Sequence, residues 1–187
     1  MLLKYIVKNY KSIAHSIEYS MFPTEDNLES KYFIPLPTVQ GTWKILRRGA
    51  LLGPNASGKS NFIQSLDFAR DYIVEAQKSG NKTGVPQFKG EFCLHTKLTR
   101  TFINDFIAKE HKNQLIFTAH DINLISLEDL AQDEIWFLEK NKLGESYLKP
   151  FSDYTIPSDM VDGYSNVKSY LAGRFGAVPV IKGGFDK

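Results

Sequence analysis

The chain has 187 residues, 42% of them hydrophobic and 24% charged, which is ordinary globular composition and excludes disorder throughout. Its formal net charge of +2, from 23 Lys and Arg against 21 Asp and Glu, gives no bulk electrostatic reason to bind nucleic acid or an anionic membrane. Cys93 is the only cysteine, so an intrachain disulfide and a Cys-rich zinc site are excluded and a reducing compartment is expected.

The N-terminus is partly apolar, but Lys4 and Lys8 interrupt it before a signal-peptide core or a membrane span forms, so a cytoplasmic address without membrane contact is expected. Residues Leu2 to Lys8 and Ser16 to Phe22 read as two strands joined across the polar turn Asn9-Tyr10-Lys11-Ser12, an opening antiparallel pair. The Pro-, Asn- and Asp-containing stretch Phe22 to Gly41 reads as loop. A mixed segment, Thr42 to Arg48, leads into the short apolar strand Ala50-Leu51-Leu52 and then into a glycine-rich segment.

Beyond that segment Phe62, Leu66, Phe68, Ala69, Tyr72, Ile73 and Ala76 recur at mostly three-to-four-residue spacing, which predicts a helix from about Ser60 to Lys78, ended by Ser79-Gly80-Asn81-Lys82-Thr83-Gly84. A second helix is predicted from Thr96 to His111, with Leu98, Phe102, Ile103, Phe106 and Ile107 on one face. It feeds a strand at Gln114 to Thr118. A further strand at Glu134 to Glu139 takes Ser146 to Lys149 as its hairpin partner across Asn141-Lys142-Leu143-Gly144. Alternation of strands and helices through the middle gives an α/β class with a mostly parallel sheet.

Gly53-Pro54-Asn55-Ala56-Ser57-Gly58-Lys59-Ser60 matches G-x-x-x-x-G-K-[ST] in full, between a predicted strand and a predicted helix. Glycines let the backbone curl so that its amides face phosphate oxygens, and a helix N-terminus adds the positive end of its dipole. Lys59 is expected to reach the β and γ phosphates of ATP or GTP. The Ser60 hydroxyl is expected on a magnesium ion, and Asn61 closes the binding segment. His15, His95, His111 and His120 have no metal-ligand spacing. Arg47-Arg48 and the lysines at 4, 8 and 11 read as a solvated face.

Three segments resemble AAA-type ATPases allied to the RecF, SMC and OLD proteins, which share the core of ABC ATPases. They are Leu2 to Ser12 with its Asn-Tyr-Lys-Ser turn, Gly53 to Arg70, and a C-terminal block from Gln114 to Pro179 that contains Leu115-Ile116-Phe117-Thr118-Ala119-His120-Asp121, Asp133 to Lys140 and Tyr170 to Pro179. The resemblance implies an α/β P-loop fold of ABC-ATPase type with an N-terminal antiparallel strand pair. It implies one ATP-binding domain over residues 1–187, in which 1–89 is similar to the P-loop part and 94–187 to the switch-histidine part. ATP and Mg2+ follow as ligands, with a homodimer around the nucleotide and DNA or an effector protein as partner. The resemblance sets His120 at the switch histidine that meets the γ-phosphate or the attacking water. The residues alone leave His120 open between catalysis and structure, and Asp121 reads as a helix cap.

The run Cys93-Leu94-His95 is similar to the stretch that follows the acidic Walker B motif in this group. Gln87-Phe88-Lys89-Gly90-Glu91-Phe92 stands upstream of it, however, without an apolar run ending in Asp-Glu. Ile135-Trp136-Phe137-Leu138-Glu139 ends in an acid but follows His120 in the chain, so it reads as a core strand. No signature motif of Leu-Ser-Gly-Gly type is present. The pattern is that of the two ends of a longer ATPase joined across a large internal deletion near Lys89 to Leu94, truncated in the middle. Two functions follow: an ATPase coupled to DNA or a partner effector, or a nucleotide-binding remnant without hydrolysis.

Overall fold

The glycine-rich segment grows out of a strand in the middle of a sheet, and the sorting of side chains along that sheet explains the rest of the architecture. The computed structural model describes residues 1–24, 28–78, 96–108, 113–119 and 130–154. Strand β5 (Arg48–Leu52) is flanked by two parallel neighbours, β6 (Leu115–Ala119) and β7 (Ile135–Lys140), and β8 (Ser146–Pro150) adds an antiparallel edge to β7. The result is a small α/β structure with a mixed, mostly parallel four-stranded sheet in the order β6-β5-β7-β8.

All five residues of β5 and of β6 are buried, as a sheet covered on both faces requires. Side-chain alternation at period two sorts them into two cores. Ala50, Leu52, Leu115, Phe117, Ala119, Ile135 and Phe137 face one side, where Ile103 of helix α2 (Thr96–Ala108), Leu130 and Phe151 join them. Leu51, Ile116, Trp136 and Leu138 face the other, where Phe62 and Leu66 of helix α1 (Lys59–Lys78) pack.

The second core is roofed by two hairpin ribbons. Strands β1 (Lys4–Val7) and β2 (Ile17–Ser20) pair antiparallel and contribute Val7, Ile17 and Tyr19. Strands β3 (Phe33–Thr38) and β4 (Gly41–Leu46) pair antiparallel over six residues each, and Ile45 and Leu46 reach inward. This corrects the expectation of a loop from Phe22 to Gly41. Pro35 and Pro37 suggested a break, but two prolines two residues apart are tolerated in a ribbon with one unpaired edge, where no donor is required of them.

The opening strand pair, α1 and the β7–β8 hairpin fall where periodicity and turn residues predicted them, with no end displaced by more than two residues. Helix α2 is described to Ala108, and the rest of its expected span, together with Cys93, His95, His120, Asp121, the proposed junction at 89–94 and the 170–179 segment, lies outside the described residues. No described helix is long and apolar enough to cross a membrane.

Away from the glycine-rich segment, Arg48 at the start of β5 and Glu134 just before β7 meet with both side chains wholly buried. Arg48 Nε and Nη2 donate to the two Glu134 carboxylate oxygens at 2.9 and 2.7 Å, and the guanidinium lies 5.4 Å from the Tyr32 ring centre. Two buried charges are tolerated there because the fork of the guanidinium matches both oxygens at once.

Candidate functional site

β5 ends at Leu52 and α1 begins at Lys59, so the six residues between them must turn the chain from the sheet edge into the helix. Space for that turn is scarce. A Cβ at position 53 would stand 2.2 Å from the Leu138 carbonyl oxygen of β7. At position 58, where φ is +108°, it would stand 2.2 Å from Ser146 Oγ and 3.0 Å from Ser12 Oγ. The two motif glycines are thus demanded by close approach of neighbouring strands, in addition to the curl that the sequence suggested. Ala56 sits between them at φ +61°, a left-handed residue at the apex, and Ser57 N closes the turn onto Pro54 O at 3.2 Å.

A chain of hydroxyls holds the loop from below. Ser146 Oγ donates to Ser57 O at 2.7 Å, which uses its one hydrogen. Ser12 Oγ therefore donates to Ser146 Oγ at 2.8 Å and accepts from Asn61 Nδ2 at 2.7 Å. Ser146 N also donates to Ser12 O at 2.7 Å. The turn after β1, the start of β8, the loop and the first turn of α1 are tied into one unit by these bonds. Ser12 and Ser146 were not singled out as site residues from sequence, since nothing local marks a serine that supports a loop 89 positions away.

Lys59 is 3% exposed, and its Nζ donates to Gly53 O and Pro54 O at 2.8 Å each. The ammonium is thereby held across the mouth of its own loop. Ser57 Oγ is buried and has no hydrogen-bond partner among the described residues, and it lies 2.9 Å from where a Cβ on Gly53 would stand, within the curl. Ala56, Ser57, Gly58, Lys59, Ser60 and Asn61 line a hollow of about 210 Å³, together with Lys140 from the end of β7. Among the described residues two lysines and no carboxylate line it, so their contribution to its field is positive.

Of the expected binding segment, the structure brings Ala56 to Asn61 around this hollow, while Gly53, Pro54 and Asn55 form the approach, Gly53 and Pro54 as acceptors for Lys59. Lys140 was missed as a candidate; the pairing of β7 with β8 brings it in, and no motif encodes it. The acid that ends the β7 run, Glu139, is turned to the other face of the sheet from Lys140, is 5% exposed and accepts a hydrogen bond from Tyr147. That carboxylate holds the Tyr147 phenol up to about 12. Reading β7 as a core strand is in keeping with its five buried residues.

Residues 50–92 match the family model described as "AAA domain, putative AbiEii toxin, Type IV TA system". This span covers the end of β5, the loop and α1, and it is a P-loop, AAA-type ATPase-like region. Neither the search of curated proteins nor the search of solved structures gives a match. A nucleotide-binding AAA-type protein is therefore what the similarity indicates.

Proposed function

We propose that the chain binds ATP with Mg2+ through Gly53 to Asn61, and that it is an ATPase of the RecF, SMC and OLD type with an ABC-like core, dimerising around the nucleotide and coupling hydrolysis to DNA or a partner effector. The observation that carries the binding step is the hollow at the N-terminus of a 20-residue helix, lined by the motif residues and by two lysines, with no carboxylate among the described residues that line it. The buried, unpartnered Ser57 Oγ in the loop is a further fit to a polar ligand.

In this reading Lys59 leaves its two carbonyl acceptors for the β and γ phosphates, the loop amides hold the phosphate oxygens, and the helix dipole favours their charge. Magnesium, when bound, supplies charge neutralisation between the phosphates. The Ser60 hydroxyl oxygen is the ligand that the motif would offer to it. β6 ends at Ala119, level with Leu52 at the root of the loop, and His120 is the next residue in the chain, which supports its role at the γ-phosphate.

A second reading, a nucleotide-binding module without hydrolysis, is favoured by one observation: the one acid at the end of β7 is engaged by Tyr147 and does not line the hollow. Calorimetry with ATP and GTP in magnesium, on the unmutated chain and on Lys59→Ala, with phosphate release followed in the same samples, separates the readings. Binding lost in Lys59→Ala together with steady release supports the ATPase. Binding without release supports the module, and no binding by the unmutated chain overturns both.

A further inference from the structure

The cation that lines the hollow from outside the motif is unexplained by any P-loop requirement. Lys140 is the last residue of β7 and lies opposite Ser146 in the antiparallel ladder with β8. Directly opposed residues in such a ladder project from the same face of the sheet. Ser146 uses that face to reach Ser57 O and to approach Gly58, and Leu138, two residues before Lys140, buries its side chain on that face beside Phe62 of α1. Alternation along β7 therefore directs Lys140 to the loop and Glu139 away from it. Lys140 is exposed, lines the hollow beside Ala56 to Asn61, and forms no salt bridge among the described residues.

We propose that Lys140 is a second phosphate-binding cation of this site, holding the polyphosphate of the nucleotide from the β7 side while Lys59 holds it from within the loop. The assignment rests on the nucleotide reading above and adds to it a recognition element outside the motif. Two features suit the role. The ladder to Ser146 and the hydroxyl chain to Ser57 tie the strand that carries Lys140 to the loop it serves, so the backbones that carry the two lysines are held together. The flexible four-carbon stem carries a compact point charge that adapts to a polyphosphate without a fixed fork geometry.

The test is calorimetry of the full chain with Mg-ATP, AMP and inorganic tripolyphosphate at low and at high salt, for the unmutated protein, Lys140→Ala, Lys140→Arg and Lys59→Ala. Lys140→Ala is expected to weaken ATP and tripolyphosphate alike by roughly five- to tenfold at low salt, with the loss shrinking as salt rises, because an exposed charge is screened. AMP should lose less than ATP, Lys140→Arg should stay within about twofold of the unmutated chain since the charge is retained, and thermal unfolding should be unchanged. Equal ATP affinity in Lys140→Ala, where Lys59→Ala abolishes binding, overturns this assignment and leaves the nucleotide reading standing. A loss for ATP but none for tripolyphosphate places Lys140 on the sugar or base and also overturns it. No binding by the unmutated chain removes the nucleotide reading and this assignment together.

Discussion

Ser146 Oγ donates to the Ser57 carbonyl at 2.7 Å, and the two residues are 89 positions apart. A strand residue thus supplies a side-chain donor to that carbonyl, beneath a loop whose shape decides what it can bind. Ser146→Ala leaves that buried carbonyl short of a donor, at a cost of about 1–3 kcal/mol. Mg-ATP affinity and thermal stability should fall together in this variant. Unchanged affinity alongside lowered stability would show that the support matters to the fold and not to the site. Gly58→Ala should be the more damaging change, since its methyl carbon would stand 2.2 Å from Ser146 Oγ and its φ is one that side chains disfavour.

Arg48 and Glu134 make the opposite kind of commitment, a charged pair with no exposed surface. Removing one partner strands the other charge, so Glu134→Ala or Arg48→Ala should lower unfolding free energy by about 3–5 kcal/mol. Replacing both together by apolar residues of similar volume, Arg48→Met with Glu134→Leu, should recover most of that loss. Urea unfolding of the three variants decides the matter, and a double variant as unstable as the singles would mean that the pair is needed for the packing of β5 on β7.

Aromatic residues on α1 should divide sharply by face. Phe62 is wholly buried and meets the rings of Tyr5 and Tyr19 edge-on at 5.8 and 5.5 Å, whereas Phe68 is 63% exposed. Phe62→Ala should cost about 3–5 kcal/mol, and Phe68→Ala less than about 1 kcal/mol. Similar losses for both would mean that the exposed face of α1 is covered in solution.

Tyr147 donates its phenol hydrogen to Glu139, and this hydrogen bond is the main reason that its proton is held up to about 12. A phenol whose folded value lies above its unfolded value near 10 contributes stability that is complete below pH 10 and is lost as the pH rises from there through 12. The stability gap between the unmutated chain and Tyr147→Phe should accordingly narrow over that interval. Denaturant midpoints measured at several alkaline pH values test it, and a gap that stays constant to pH 12 would show that the hydrogen bond does not form.

Patterns carried by neighbours in sequence were legible before the structure: the period of α1, the glycines and lysine of the loop, the turn between β7 and β8. Each depends on residues within a few positions of one another. The β3–β4 ribbon escaped notice because Pro35 and Pro37 look like breakers until the strand is known to have a free edge. Ser12, Ser146 and Lys140 escaped notice for a different reason. A serine or lysine acquires its role from the strand register that sets it against the loop, and register between distant strands leaves no local trace.

The loop and its support also reach completion at different times. At synthesis rates of about 5–20 residues per second, the 89 residues between Ser57 and Ser146 take about 5–20 s to emerge. Over that interval the nascent chain carries the glycine-rich motif without the residues that support its loop in the complete fold. Any nucleotide met by the growing chain would meet a sequence signature before it met a binding site, and the site matures only when the β7–β8 hairpin closes beneath it.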